Sequence, residues 1–236
     1  MSESAPTVVL VHGALTDASV WHRVIACLEG RGFRVLAPAL PMRGLDQDAA
    51  YLYSVLSECG DGPIVVAAHS WGGSVIAHPA ALTSSVRALV FVAAFAPDSG
   101  EAAGELNNRF PGSRLGPDTA VVRQRPDGTE LFLRPEHFGE VYAADLDPVL
   151  VGVMASAQRG IDPDALGQSF TGPPTWRSRP SWALIATADA SLPVQTQRFM
   201  AHRAGSTISE VNSSHAVPVA HPDKVTEVIV AAARAV

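Results

Sequence analysis

The sequence predicts an α/β fold, with a mostly parallel six-stranded sheet, helices on both faces of that sheet and an inserted helical lid. The first observation is an alternation of short, β-branched apolar runs with longer amphipathic stretches, which is typical of strands and helices around a buried parallel sheet. The second is size and composition: 236 residues, 47% of them hydrophobic and 17% charged, suit one folded core and exclude a disordered chain. The third is a stretch of about 80 residues, between Pro97 and Pro180, in which the alternation stops.

Two strand–helix units open the chain. Residues 8–12 are an apolar run that ends at Gly13, which predicts a buried strand. Asp17 is placed to cap the following helix, whose apolar residues recur at helical spacing and which ends at two glycines. Residues 33–37 predict a second strand, which prolines stop, and Asp46 is placed to open the second helix.

Two more strands precede the interruption, and two follow it. Residues 64–68 predict the third strand, which leads into a helix over residues 70–82, and residues 86–94 predict a long, apolar fourth strand. The remaining predicted strands are residues 182–187 and 208–211, and the remaining predicted helices are residues 193–203 and 222–234.

The interrupted stretch predicts the domain boundaries. Residues 1–97 and 180–236 are expected to form the core, and residues 98–179 a lid inserted into it. The lid segment is rich in Pro, Gly and charged residues, and it shows no strong strand pattern. It is too long for an ordinary loop, and a flexible linker would not need its large apolar side chains, so we expect a mainly helical lid.

Charge, apolar runs and cysteines exclude several classes of protein. The net charge is −6 without any basic block, so neither nucleic acid nor an anionic membrane is an expected partner. The longest apolar run, residues 88–97, falls far short of the roughly 18–20 residues of a membrane span, and the N-terminus lacks the pattern of a secretory signal. Cys27 and Cys59 form no Cys-x-x-Cys pair, so we expect no zinc or other metal site and a reduced, cytoplasmic setting.

The strongest functional signal is the segment at residues 68–73, with the sequence AHSWGG. A predicted strand runs there directly into a predicted helix, with Ser70 at the junction. Such a turn needs small residues two positions before and after the serine, and Ala68 and Gly72 meet this need. The turn strains the backbone of Ser70 and exposes its Oγ above the sheet edge. It also places the amide of Trp71 at a helix N-terminus, where it can donate to an anion.

This segment resembles the nucleophile elbow of the α/β-hydrolase superfamily, and the chain resembles that superfamily along almost its whole length. Ala68 stands where the usual Gly-x-Ser-x-Gly pattern has its first glycine, a departure that the steric argument tolerates. The resemblance implies Ser70 as nucleophile, then an acid after the next-to-last strand, then a histidine base after the last strand. Asp189 and His215 occupy these two places, and Asp98, at the end of the fourth strand, is the competing acid.

The resemblance also implies an oxyanion hole built from two backbone amides. One is the amide of Trp71. The first strand ends in His12, Gly13 and Ala14, and the family's His-Gly-x pattern assigns the second donor to the amide of Ala14. His69, which adjoins the nucleophile, is interpreted as a packing residue.

The chain is similar to compact bacterial serine esterases related to the hydroxynitrile lyase and esterase branch. The resemblance implies hydrolysis of a small apolar carboxylic ester or lactone through an acyl-enzyme, without a cofactor. Ser70 argues against epoxide hydrolases and haloalkane dehalogenases, which use Asp. Ala216 and Gly13 stand where plant hydroxynitrile lyases carry Lys and Thr. A lyase-like reaction, acyl transfer to peroxide or an alcohol, a slow-turnover ligand sensor and a homodimer are left open.

Overall fold

The computed structural model describes residues 6–236. Residues 1–5, which open the stretch used above to exclude a secretory signal, lie outside the described residues. The longest described helices have 13 residues, and no helix in residues 6–236 combines the length and apolar character that a membrane crossing needs.

The strands are β1 (Thr7–Val11), β2 (Val35–Leu36), β3 (Ile64–His69), β4 (Val86–Val92), β5 (Ala120–Arg125), β6 (Gly128–Leu133), β7 (Ser181–Ala186) and β8 (Thr207–Val211). The α-helices are α1 (His22–Glu29), α2 (Leu45–Ser57), α3 (Trp71–Ala77), α4 (Ala103–Asn107), α5 (Pro135–Tyr142), α6 (Pro148–Ser156), α7 (Val194–Arg203), α8 (Val217–Ala220) and α9 (Pro222–Arg234).

Six strands form one sheet, in the order β2-β1-β3-β4-β7-β8, and each pairing in it is parallel. In the centre, Thr7 pairs with Ile64 and Val11 with Ala68. The central strands are apolar runs buried on both faces, as a parallel sheet between two layers of helices requires. The predicted fold class is confirmed.

Helices cover both faces of the sheet, because successive strand residues point to opposite sides. Val9 and Val11 belong to a core shared with α2, α3 and α7, whereas Val8 and Leu10 belong to a core shared with α1 and α9. A third, smaller core joins α5 to the loops that follow β1 and β8. This third core therefore links the chain between β4 and β7 to the carboxyl edge of the sheet.

Two predicted elements are much shorter in the structure. The helix predicted over residues 70–82 ends at Ala77, because Pro79 disfavours a helical conformation at the preceding His78, whose ψ is 130°. The strand predicted over residues 33–37 shrinks to the two-residue β2, which pairs with β1 alone at the edge of the sheet.

The chain between β4 and β7 carries helices α4, α5 and α6 and also an antiparallel hairpin of β5 and β6. The hairpin was absent from the sequence prediction, because β5 is largely exposed and ends in charged residues such as Arg123 and Arg125. Gly128, with a φ of 130°, begins the return strand. Leu131 of the hairpin then bridges to Ile161, which ties the hairpin to the rest of the segment.

Candidate active site

Ser70 lies at the junction of β3 and α3 with a φ of 52° and a ψ of −122°, a conformation that non-glycine residues rarely adopt. The neighbouring glycines allow this turn. A Cβ on Gly72 would lie 2.7 Å from the carbonyl oxygen of Val11, and one on Gly13 would lie 2.6 Å from the Cβ of Ser70. The close approach of β1 and the elbow therefore holds the strained serine in place.

The three side chains that the sequence singled out are joined by hydrogen bonds. The Oγ of Ser70 lies 2.9 Å from Nε2 of His215, and Nδ1 of His215 lies 2.7 Å from Oδ2 of Asp189. Because a carboxylate only accepts, Nδ1 carries the proton, and Nε2 is left to accept from the serine hydroxyl. All three residues are buried. The competing acid, Asp98, instead pairs with Arg177 at 2.5 Å.

The parallel sheet explains why these residues meet. Ser70 follows β3, Asp189 follows β7 and His215 follows β8, so all three leave the carboxyl edge of the same sheet. Ligands of open α/β sheets bind in the crevice outside this edge.

Both oxygens of Asp189 are fully engaged. Oδ1 accepts from the backbone amides of Ser191 and Leu192 at 2.8 and 2.9 Å. Oδ2 accepts from His215 and also from Nε2 of Gln197, at 2.8 Å. Sequence analysis missed Gln197, since nothing in the spacing of residues 189 and 197 indicates that α7 folds back onto the acid.

The two amides assigned to an oxyanion hole lie beside the serine. Ala14 and Trp71 line the same cavity as Ser70 and His215. Trp71 is the first residue of α3, and the first amides of a helix have no acceptor within the helix. Ala14 follows Gly13, whose close contact with the elbow brings the β1 loop to the nucleophile.

A mainly apolar cavity opens above Ser70 and encloses about 570 Å³ of empty space, part of it open to solvent. Part of its lining comes from the chain between β4 and β7, and includes Leu115, Leu131, Tyr142, Ile161 and Leu166.

His69 does more than pack. Its Nε2 lies 2.9 Å from the backbone carbonyl oxygen of His215, so this nitrogen carries the proton and donates it. The two imidazole rings lie 4.7 Å apart, and Tyr142 packs edge-on against His215 at 4.8 Å. Burial, and then the neighbouring His215, lower the pKa of His69 well below its usual value, so His69 is neutral.

Asp145, in the connection between α5 and α6, holds the loop before His215. Its carboxylate accepts from the hydroxyl of Ser213 at 2.9 Å, and from the amide and hydroxyl of Ser214 at 3.0 and 2.5 Å. Burial alone would raise the pKa of Asp145, but the hydrogen bonds from Ser214 and Ser213 hold it below its usual value. The inserted segment thus contacts the loop that carries the imidazole.

Metal ligation has no counterpart at this site. Among residues 6–236, no group of three His, Cys, Asp or Glu side chains lies close enough together to hold a metal ion. The groups that line the site can transfer a proton through His215, attack through Ser70 and donate hydrogen bonds from backbone amides.

Comparison with known proteins places this chain in a family. The chain matches the model of the Alpha/beta hydrolase family over residues 8–228, and it belongs to that family. It is similar to Esterase PIR7B of Oryza sativa subsp. japonica, with 27% identity over 258 aligned positions that cover 97% of this chain and 96% of the relative. It is also similar to Methylesterase 9 of Arabidopsis thaliana, with 29% identity over 187 positions and 70% of each chain.

Solved structures share the fold. Polyneuridine aldehyde esterase superposes with a TM-score of 0.75 at 19% identity, over 96% of this chain and 98% of that one. A pyrethroid hydrolase from Sphingobium faniae JZ-2 superposes with a TM-score of 0.77 at 21% identity, over 98% of each chain. At these identities the matches establish the fold alone, and the reaction has to be inferred from the site.

Proposed function

We propose that the protein is a serine hydrolase that cleaves a carboxylic ester or lactone of a small apolar substrate through an acyl-enzyme. The observation that carries this proposal is the hydrogen-bonded chain from Ser70 through His215 to Asp189, at the wall of a mainly apolar cavity. The esterase and methylesterase names of the relatives support it.

Acylation begins with Ser70. As its Oγ attacks the ester carbonyl carbon, Nε2 of His215 takes the hydroxyl proton, and Asp189 stabilises the imidazolium that forms. The amides of Ala14 and Trp71 donate to the oxygen that becomes negative. Loss of one such donor typically costs about 2.7–4 kcal/mol of transition-state stabilisation. The tetrahedral intermediate then collapses, and His215 gives its proton to the departing alcohol.

Deacylation repeats these steps with water as the nucleophile. His215 takes a proton from the water, whose oxygen attacks the acyl carbon, and the same amides receive the negative charge. The proton returns to the Oγ of Ser70 as the carboxylic acid leaves. A lactone follows the same route, with its alcohol remaining attached to the product.

The inserted segment, residues 98–179, is proposed to act as the lid that selects the substrate. It supplies about half of the apolar side chains that line the cavity, and an apolar lining favours a small apolar acyl or alcohol group.

A cytoplasmic location is proposed as well. Cys27 and Cys59 are both free thiols, which is compatible with a reducing compartment. A homodimer remains a separate hypothesis, for which size-exclusion chromatography with light scattering is the test.

Fluorophosphonate labelling tests the proposed function. A fluorophosphonate forms a stable adduct with an activated serine, so mass spectrometry should find one adduct per chain, on Ser70. His215→Ala should abolish labelling, because the hydroxyl loses its base. Ser70→Ala should abolish both labelling and hydrolysis of short p-nitrophenyl esters while the thermal unfolding temperature stays close to that of the wild type.

The outcomes separate the alternatives. Hydrolysis by Ser70→Ala at near wild-type rates would exclude the acyl-enzyme. A rapid burst without steady turnover would favour a ligand sensor, and ester products formed in the presence of an added alcohol would favour acyl transfer. Ser84→Ala, in the loop before β4 and away from the cavity, is the matched control and should label and turn over normally.

A further inference from the structure

A buried glutamine stands behind the acid of the candidate site. Gln197, in α7, is only 3% exposed. Its Nε2 donates to Oδ2 of Asp189 at 2.8 Å and to the carbonyl oxygen of Leu192, also at 2.8 Å.

The orientation of this amide follows from its partners. Oε1 of Gln197 lies 3.0 Å from the backbone nitrogen of Ala186. A backbone N–H can only donate, so the amide oxygen must face Ala186 and the NH2 group must face Asp189. All of the polar atoms of Gln197 therefore have partners, and the side chain is fixed at both ends.

Gln197 contacts the same carboxylate oxygen as the base. Oδ2 of Asp189 accepts from Gln197 and from Nδ1 of His215, at 2.8 and 2.7 Å. The other oxygen, Oδ1, accepts from the amides of Ser191 and Leu192. Four donors thus fix the plane of the carboxylate, and that plane sets the direction in which Oδ2 receives the imidazole N–H.

We propose that Gln197 is a positioning residue for Asp189, and that it keeps Oδ2 aligned with Nδ1 of His215 during turnover. This inference rests on the proposed function, since it assigns Asp189 and His215 their roles in ester hydrolysis. Gln197 has no contact with the cavity, so its effect should appear in kcat rather than in substrate binding.

Gln197→Met tests the loss of the donor. Methionine has a similar length but no N–H, so Oδ2 loses one of its two hydrogen bonds. We expect kcat/KM for p-nitrophenyl acetate to fall about 10-fold, with KM nearly unchanged, since a hydrogen bond to a charged acceptor is lost.

Gln197→Glu gives a sharper readout, because its effect depends on pH. When protonated, the new carboxyl can donate its O–H to Asp189 and accept from Ala186, as glutamine does. When ionised, it places a second negative charge beside Asp189 and loses the donor. The kcat/KM of this variant should therefore fall at high pH, as the new carboxyl ionises, whereas that of the wild type should stay level there.

Gln168→Glu is the matched control. Oε1 of Gln168 accepts from the backbone amide of Leu45 at 2.7 Å, and Gln168 contacts neither Asp189 nor the cavity. Its profile should match that of the wild type. Should Gln197→Met fail to fold, Gln197→Glu still tests the proposal across pH. Its protonated form keeps the hydrogen bonds to Asp189 and Ala186 and loses only the one to Leu192.

The outcomes distinguish this inference from the proposed function. Turnover that survives Ser70→Ala would overturn both. An inactive Ser70→Ala, together with wild-type kcat for Gln197→Met and a wild-type pH profile for Gln197→Glu, would overturn the inference alone. A fall at high pH in Gln197→Glu but not in Gln168→Glu would support it.

Discussion

Asp48 is a buried carboxylate in α2 that touches the start of α3. Its Oδ2 accepts from Nε1–H of Trp71 at 2.9 Å, and its Oδ1 accepts from the backbone amide of Met42 at 2.9 Å. Burial raises the pKa of Asp48 in spite of these hydrogen bonds, because water can no longer solvate the charge. Since Trp71 also supplies a proposed oxyanion donor, this carboxylate anchors a residue of the candidate site.

Trp71→Phe should destabilise the protein by about 1–3 kcal/mol beyond the loss of ring packing, because Oδ2 of Asp48 is left buried without a donor. Urea unfolding measures the change. Trp21→Phe is the matched control, since Trp21 is fully buried but its Nε1 has no hydrogen-bond partner among the described residues. Equal losses in the two variants would contradict the prediction. Adding Asp48→Asn to Trp71→Phe should recover part of the loss, since a neutral amide costs less to leave unpaired.

Single residues differ in how far the sequence reveals them. Ser70 could be proposed from the small residues around a strand–helix turn. Asp189 and His215 could be proposed from the residue order that the α/β-hydrolase resemblance implies, and the parallel sheet brings the three together. Gln197 and His69 could not, because their contacts depend on how a helix or an imidazole ring packs in three dimensions. The packing interpretation of His69 was therefore incomplete: it omitted the hydrogen bond to the backbone of the base.

The connection between α5 and α6 acts on the base through Asp145. Three hydrogen bonds join this carboxylate to Ser213 and Ser214, immediately before His215. The imidazole must keep its 2.9 Å contact with Ser70, so the placement of its loop bears directly on proton transfer.

Asp145→Ala should lower kcat/KM about 10-fold and the free energy of unfolding by about 1–3 kcal/mol, since two serine hydroxyls and an amide lose a charged acceptor. Asp147→Ala is the control. Asp147 caps α6 by accepting from the amide of Val149 at 2.9 Å and does not touch Ser213 or Ser214, so its loss should reduce stability and leave kcat/KM unchanged. Ester hydrolysis and urea unfolding of both variants check this. Full activity in Asp145→Ala would show that the loop holds its position unaided.

Strands and helices were predictable to different degrees. The central strands β3 and β4 are mostly apolar and buried, so they stand out as continuous runs in the sequence. The β5–β6 hairpin lies outside that sheet, and its exposed polar positions leave too weak a pattern. The early end of α3 has a local cause in Pro79, which a stricter use of the proline rule would have found.

Two buried, neutral histidines couple the stability of the whole chain to pH. His12 donates from Nδ1 to the carbonyl oxygen of Gly13 at 2.8 Å, and its Nε2 accepts from the amide of Leu40 at 2.9 Å. Burial lowers the pKa of His12 to about 4, and burial also lowers that of His69. In the unfolded chain each would take up a proton below its ordinary pKa of about 6.5.

The contribution of these two histidines to the free energy of unfolding should therefore be fully present above about pH 6.5 and should fall as the pH is lowered toward 4. The reason is that the unfolded chain binds protons in this range that the native chain does not bind. For His12 the full loss is about 3 kcal/mol. Urea unfolding between pH 7.5 and 4.5 measures it. His12→Asn should remove the His12 part of this dependence and keep that of His69, whereas the exposed His22→Asn should leave the whole dependence unchanged. If the free energy of unfolding changed equally with pH in the wild type, His12→Asn and His22→Asn, the pH dependence would not come from His12.

The hydrogen bonds of Asp145 also limit how the protein could be recombined. One route to a new specificity in this fold is to exchange residues 98–179 for the corresponding segment of a relative. Such a chimera would bring a new cavity wall, but it would also remove the carboxylate that holds Ser213 and Ser214. Exchanged segments that lack an acid at the place of Asp145 should give chimeras of low activity, whatever substrate pocket they form. A working chimera must therefore keep Asp145 or replace both serines.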